Sequence, residues 1–276
     1  MTITQALVLF VSGILAGALN ALAGGGGFIT LPALIWSGAS PILANTGGTI
    51  AVWPGLIAAL YAYRRSLQGR KHPLRSYLIL AVCGSAMGAS LLLFTTNDFF
   101  MALLPWLMLF ATLLFVFGRK ITAGLAGARG DGRPFPPAIV LLLLFLIAVY
   151  GGYFGGGMGI MTLAVLTLIG MDDIHEMNAL KSLLVVVING VGVAIFIATG
   201  KVEWARCGVM TVGCIIGGFT AGYYVQKFDP LAVRRLIAFL ATGMTGYFFI
   251  RAYGGAILEG GHFSALIRLL RALGKA

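Results

Sequence analysis

Eight stretches of this chain stay apolar long enough to be read as membrane segments: 4–36, 45–63, 75–95, 99–117, 137–170, 178–199, 204–225 and 231–252. A crossing helix needs about 20 such residues. The stretches are continuous blocks, neither striped nor alternating, which predicts helices solvated by lipid and excludes a β-barrel. Two blocks, 4–36 and 137–170, are too long for one straight crossing. The same two contain Gly24, Gly25, Gly26 and Gly27 in "NALAGGGGFITLP", and Gly155, Gly156 and Gly157 in "GGYFGGGMGIMTL". Glycine weakens a helix by roughly 1 kcal/mol relative to alanine, so both blocks are expected to break at these runs.

Between the fourth and fifth blocks lies "GRKITAGLAGARGDGRPFPP", basic, Gly-rich and ending in prolines. It reads as a linker between two halves. When the halves are superposed, "GGGGFITLPALIWSGA" aligns with "GGGMGIMTLAVLTLIG", and Asn45 falls on Asn178 after a two-residue shift. The expected organisation is an all-α polytopic membrane protein with a first repeat over 1–118 and a basic cytoplasmic linker over 119–136. A second repeat covers 137–253, and a basic tail over 254–276 includes a short amphipathic stretch suited to an interface. Each repeat is one Gly-broken segment followed by three ordinary helices. Duplicated, interrupted helices point to the binding site of a secondary transporter.

Two topologies fit. If each broken segment crosses fully, 15 Lys and Arg lie inside and three outside. If each is a re-entrant hairpin, the halves are inverted repeats with 12 inside and six outside. The excess of basic residues on the cytoplasmic side favours the first; the glycine breaks favour the second.

The chain is 59% hydrophobic and only 10% charged, with net charge +11 concentrated between the blocks. That pattern suits loops facing anionic lipid and leaves no soluble domain to bind nucleic acid. Cys83, Cys207 and Cys214 lie in apolar blocks and are expected as small core residues, with no metal site or disulfide framework among them. Gly13-x-x-x-Gly17, Gly84-x-x-x-Gly88 and Gly213-x-x-x-Gly217 are expected to bring helices into close contact.

Consecutive glycines go beyond what packing requires. Irregular backbone inside a bilayer is tolerated only when buried in protein or lining a wet cavity. A helix restarting after such a break aims unpaired N–H groups and a positive dipole end into that cavity, which favours an anion. In "MNALKSLLVVVING", Asn178, Lys181, Ser182 and Asn189 share one face of a helix. Lys181 is the one Lys or Arg well inside a predicted span, and its ammonium offers three donors and no acceptor. In the first half, Asn45, Thr46 and Thr49 supply neutral groups, and Asn20 precedes the glycine run. Gly48 aligns with Lys181, so the charge of any site comes from the second half. Threonine bonding back to its own helix is the bland alternative for Thr46 and Thr49. Pro54 is expected to kink its helix. The acids Asp172, Asp173 and Glu176 precede a helix start, where they complement its dipole. No carboxylate lies well inside a span.

These motifs resemble the paired glycine-rich motifs of the sulfite exporter TauE/SafE family, over roughly residues 5–252. The resemblance implies a multi-pass permease of the bacterial cytoplasmic (inner) membrane for small sulfur-containing anions such as sulfite or organosulfonates. Where the second-half helix of that family commonly starts with a Thr-Ser pair, this chain has Leu180, Lys181 and Ser182, and the added cation favours a more highly charged or carboxylated sulfonate. The expected ligand is a small anion held by the two glycine runs and these polar residues, with no cofactor. A coupling proton and a homodimer complete the expected partners. An anion channel and a carrier of another small carboxylate or oxyanion are the alternatives. An enzyme is disfavoured, because His72, His175 and His262 all lie near predicted surfaces.

Overall fold

The computed structural model describes residues 1–23, 25–62, 74–127, 135–169, 171, 173–224 and 230–258. The described residues form helices and no strands: α1 (Ile3–Ala23), α2 (Gly27–Trp36), α3 (Pro41–Ala62), α4 (Leu74–Phe94), α5 (Asn97–Gly127), α6 (Pro137–Tyr153), α7 (Met158–Leu168), α8 (Ile174–Ala198), α9 (Trp204–Tyr224) and α10 (Pro230–Leu258). Seven of them, α1, α3, α4, α5, α8, α9 and α10, are long and apolar enough to cross a membrane. The shorter α2, α6 and α7 come from the two overlong blocks, which break at their glycines as expected.

Each broken block folds back on itself. Thr2 and Gln5 form a reciprocal capping box at the start of α1: Thr2 N–H donates to Gln5 Oε1 at 2.9 Å, and Gln5 N–H donates to Thr2 Oγ1 at 3.2 Å. This holds the Gln5 amide so that Nε2 donates to Ser37 O, just past the end of α2, at 3.1 Å. In the second block, Phe135 N–H before α6 donates to Leu168 O at the end of α7 at 3.1 Å. Both blocks are therefore hairpins with their two ends on one face of the bundle, and the fully crossing alternative does not hold. One face gathers Ser37, the start of α3 (Asn97 Oδ1 accepts from Ile42 N–H at 3.2 Å) and Lys201, whose carbonyl accepts from Thr46 Oγ1 at 2.7 Å. Phe135 and Leu168 mark the opposite face.

The helix pairings come in corresponding sets. α1 packs on α9 as α6 packs on α4; α3 packs on α9 as α8 packs on α4; α5 touches α7 as α10 touches α2. Glycine sets the closest of these approaches. A Cβ on Gly13 would stand 2.5 Å from Met210 O, and one on Gly84 would stand 2.7 Å from Ala148 Cβ and 2.8 Å from Phe145 O. Gly17, Gly88, Gly213 and Gly217 likewise press on the backbone of the facing helix. The three small-residue pairs thus act in packing, where bare backbone lets two helices close up.

Some expected boundaries shift. α5 runs on through the first part of the expected linker to Gly127, because Lys120-Ile-Thr-Ala-Gly-Leu-Ala is mostly compatible with helix. α3 continues through Pro54. Cys207 and Cys214 are buried, but Cys83 lies on the exposed side of α4 and is not a core residue. The expected amphipathic tail lies outside the described residues.

Overpacking these crossings is expected to cost about 1–3 kcal/mol. Gly84→Ala should therefore lower the thermal midpoint of the purified protein by several degrees. Gly243→Ala, inside α10 where an added Cβ meets nothing within 4 Å, should not lower it and should raise it slightly in the same melt.

Candidate site at the second helix break

The second hairpin turns through Phe154–Gly157. Gly155 and Gly157 hold φ of +82° and +77°, the left-handed region that side chains other than glycine's enter at a cost. Gly157 N-caps α7 with no side-chain bond. The N–H groups of Gly156, Gly157, Met158 and Gly159 have no acceptor among the described residues. They form the unpaired positive end of α7.

The surroundings hold this turn open. Asn45 of α3, 6% exposed, donates Nδ2 to Tyr153 O at 3.0 Å. Tyr150 Oη donates to Gly156 O at 2.8 Å, while its ring meets Phe110 and Phe154 edge-on. Asn189 of α8, 4% exposed, donates Nδ2 to Val185 O at 2.9 Å. Its Oδ1 lies 3.9 Å from where a Gly155 Cβ would stand. Trp53 Nε1 donates to Val186 O at 3.1 Å and lays its ring over Gly190. Ser85 Oγ donates to Ile188 O at 2.5 Å.

Lys181 stands at the other end of the same segment. Its Cδ lies 3.7 Å from the position of a Gly159 Cβ, so the bare second residue of α7 makes room for the lysine stem. Nζ donates to Asn178 Oδ1 at 3.1 Å, and no carboxylate pairs with it among the described residues. The unwound turn through Gly157 and the first residues of α7 thus run alongside α8 from Asn189 to Lys181, with N–H groups in between that have no acceptor among the described residues. Ser182 is buried, and its hydroxyl has no partner among the described residues.

The first break is built differently. Gly25 and Gly26 are buried: a Cβ on Gly25 would meet Ile237 Cγ2 at 2.8 Å, and one on Gly26 would meet Ala16 O at 2.8 Å and Asn20 Cβ at 3.0 Å. Gly27 is exposed, with nothing within 4 Å of its Cβ position. Gly24 lies outside the described residues. The N–H groups of Gly25, Gly26 and Gly27 have no acceptor among the described residues. Thr49 bonds back to Asn45 O, and Thr46 divides its hydroxyl between Leu43 O and Lys201 O. Asp173 caps α8 by accepting from His175 N–H at 2.8 Å; Asp172 is outside the described residues.

The two breaks stand at different heights. α5 and α10 run antiparallel, pinned by Thr112 and Thr245 at 3.0 Å and by Trp106 Nε1 donating to Tyr253 Oη at 3.1 Å. Gly157 rests on Ala111 of α5 and Gly25 on Ile237 of α10. At 1.5 Å per residue, these contacts are roughly 13 Å apart along the bundle. α2 and α7 overlap between them, where Ile29 and Ile160 pack on Leu19, Phe115 and Ile237.

Sequence reasoning missed Tyr150, Trp53 and Thr30. The hydroxyl of Thr30 is 1% exposed, has no partner among the described residues, and would stand 2.8 Å from a Cβ on Gly48. The tyrosines of "VYGGYFGGG" were the available signal, since polar-tipped rings beside a helix break find backbone carbonyls to bond.

A family model described as "Sulfite exporter TauE/SafE" matches residues 9–248. "Probable membrane transporter protein YfcA" of Escherichia coli (strain K12) is 30% identical over 254 residues, covering 91% of this chain and 92% of the relative. A "Probable membrane transporter protein" of Haemophilus influenzae is 29% identical, covering 86% of this chain and 92% of its own length. "Probable membrane transporter protein ORF9" of Sinorhizobium sp. is 26% identical, with 86% and 89% covered. No solved structure matches the chain.

Removing the supports of the turn should show in stability. Gly157→Ala forces a left-handed alanine and should cost about 1–2 kcal/mol. Asn45→Ala leaves Tyr153 O without its donor and should cost about 1–3 kcal/mol. Denaturation of each purified variant beside the parent measures both.

Proposed function

The chain belongs to the sulfite exporter TauE/SafE family of membrane transporters, and from that premise we propose that it is a secondary transporter of a small sulfur-containing anion, sulfite or an organosulfonate. One observation carries the reading: a lysine without a carboxylate partner lies against the start of a helix whose first N–H groups are unpaired. A half-buried cation without a counter-charge is costly, and an arriving anion supplies that charge together with acceptors for the N–H groups. Sulfonate and sulfite oxygens suit both. Lys181 provides net charge, and Gly155, Gly156 and Gly157 provide peptide N–H groups. Asn178 and Ser182 add neutral bonds from α8, Asn189 of α8 lies beside the turn, and Asn45 holds the turn from α3. Gly25, Gly26 and Gly27, with Asn20 beside them, offer the anion a second, uncharged stop at another height, with Gly24 the further member of that run.

The two halves act as inverted repeats in this proposal. The matching pairings of α1 with α9 and α6 with α4 support it, as do the two fold-back bonds. Rocking of one half against the other would then expose the breaks alternately. The hairpin topology assigns 12 Lys and Arg to the face of Phe135 and Leu168 and six to the face of Ser37. The first of these is then cytoplasmic in a bacterial inner membrane. Lys181 is a titratable group at the cradle, and a coupling proton would be carried there.

Flux of sulfite, sulfoacetate, taurine, thiosulfate and sulfate into proteoliposomes holding the purified chain tests the reading. Saturable flux of at least one sulfur anion, with trans-stimulation, is expected of a carrier. A charged hydrogen bond is worth about 1.5–3 kcal/mol, so Lys181→Ala should weaken anion binding roughly tenfold to a hundredfold, and Lys181→Arg less. Parent-like binding of every anion by Lys181→Ala would remove Lys181 from the site. For sidedness, Thr199→Cys in a background without native cysteines should react with an impermeant maleimide on intact cells, and Ser76→Cys only after the membrane is opened. The reverse pattern would overturn the assigned orientation.

A further inference from the structure

The turn at Gly155 joins two helix ends of opposite polarity. α7 presents N–H groups to it; α6 presents carbonyls, the negative end of its dipole. Most of these carbonyls are occupied. Tyr150 O accepts from Phe154 and Gly155 N–H, Tyr153 O from Asn45 and Gly156 O from Tyr150 Oη. Gly151 O and Gly152 O, in buried residues, receive no donor among the described residues.

A side-chain oxygen joins them. Asn189 is 4% exposed, and its Nδ2 must face Val185 O, because only the NH2 end can donate to a carbonyl. Its Oδ1 is thereby turned toward the break and accepts no bond among the described residues. Gly151 O at 3.4 Å and Asn189 Oδ1 at 3.9 Å surround one point, the place where a Gly155 side chain would begin; Met158 Cε closes it at 4.0 Å. Gly155 has no Cβ to fill that point.

Two bare oxygens facing one spot inside a membrane protein attract either water or a cation. Three features favour the cation. The spot lies at the carbonyl end of α6, where positive charge is stabilised. The oxygens are all neutral, too weak a set to strip water from a divalent ion, which takes carboxylates. A positive ion here would also stand beside the anion cradle, so that the pair enters the low-dielectric interior as a neutral unit. We propose that the turn formed by Gly151, Gly155 and Asn189 binds a sodium ion, which travels with the anion. The cation site stands on its own geometry, while its coupling to transport rests on the anion reading above.

Binding of 22Na+ to the purified full chain in detergent, in choline buffer with no added anion, tests the site directly. Saturable binding competed by unlabelled sodium and not by choline is expected. Asn189→Asp should bind more tightly, and Asn189→Leu at least tenfold more weakly. Absence of saturable binding by the folded parent overturns the site, as does parent-like binding by both variants. In proteoliposomes an inward sodium gradient should raise sulfite uptake about tenfold, and Asn189→Leu should lose that rise. Equal uptake driven by a pH gradient in sodium-free medium overturns the coupling. Sodium binding by a parent that moves no anion leaves the cation site standing and removes the transport reading.

Discussion

A peptide group left without a hydrogen-bond partner inside a bilayer costs several kcal/mol, and this chain leaves such groups at two places on purpose-built turns. Every larger feature answers to that constraint. The turns cannot face lipid, so α1 and α6 must be covered, and glycine-lined crossings draw α9 and α4 against them. The hairpins must hold their shape without a continuous helix, so their open ends are tied by Gln5 to Ser37 O and by Phe135 to Leu168 O. Backbone exposed for binding is possible here because the remaining backbone is packed so closely.

Glycine plays two opposed parts, and the neighbours decide which. In α1, α4 and α9 it removes bulk from a regular helix, so that two backbones touch along a shared face. At Gly155 and Gly157 it permits a conformation that leaves four N–H groups in a row without an acceptor among the described residues. Spacing separates the two parts: four residues apart, glycines line a face; consecutive, they dissolve the helix. That distinction is a property of the 3.6-residue turn and is readable from sequence.

Much of the fold was legible for this reason: the lipid-facing blocks, the two breaks, the packing pairs and the polar face of α8. The choice between crossing and re-entrant segments was not. Counting basic residues pulled toward full crossing because it weighted every cation alike. Arg206 is one cation that such a count misweights. It donates Nε to Ser37 O at 3.2 Å and pairs with Glu203, so its charge is engaged in holding the first hairpin to α9. At the site, Lys181 and the asparagines stood out as polar residues in apolar surroundings. Their partners did not, because the bonds of Asn45 to Tyr153, Trp53 to Val186 and Ser85 to Ile188 span more than 100 residues of sequence. No local pattern encodes such pairings.

The difference between the two helix breaks follows from where side-chain volume is placed. Gly48 on α3 is bare, and Thr30 of α2 fills the space beside it; Lys181 on α8 is long, and Gly159 of α7 is bare beside its stem. Each exchange keeps the helix pair at contact distance, but one interface ends neutral and the other carries a charge. The α7–α8 pair thus carries a charge without loosening its contact, and the α2–α3 pair keeps its contact without one. An anion passing between the two breaks would meet a deep well at one and a shallow well at the other. That inequality suits a carrier: a site that binds firmly in one state and weakly in the next releases its cargo as the scaffold rocks, whereas two equal wells at different heights would only store it.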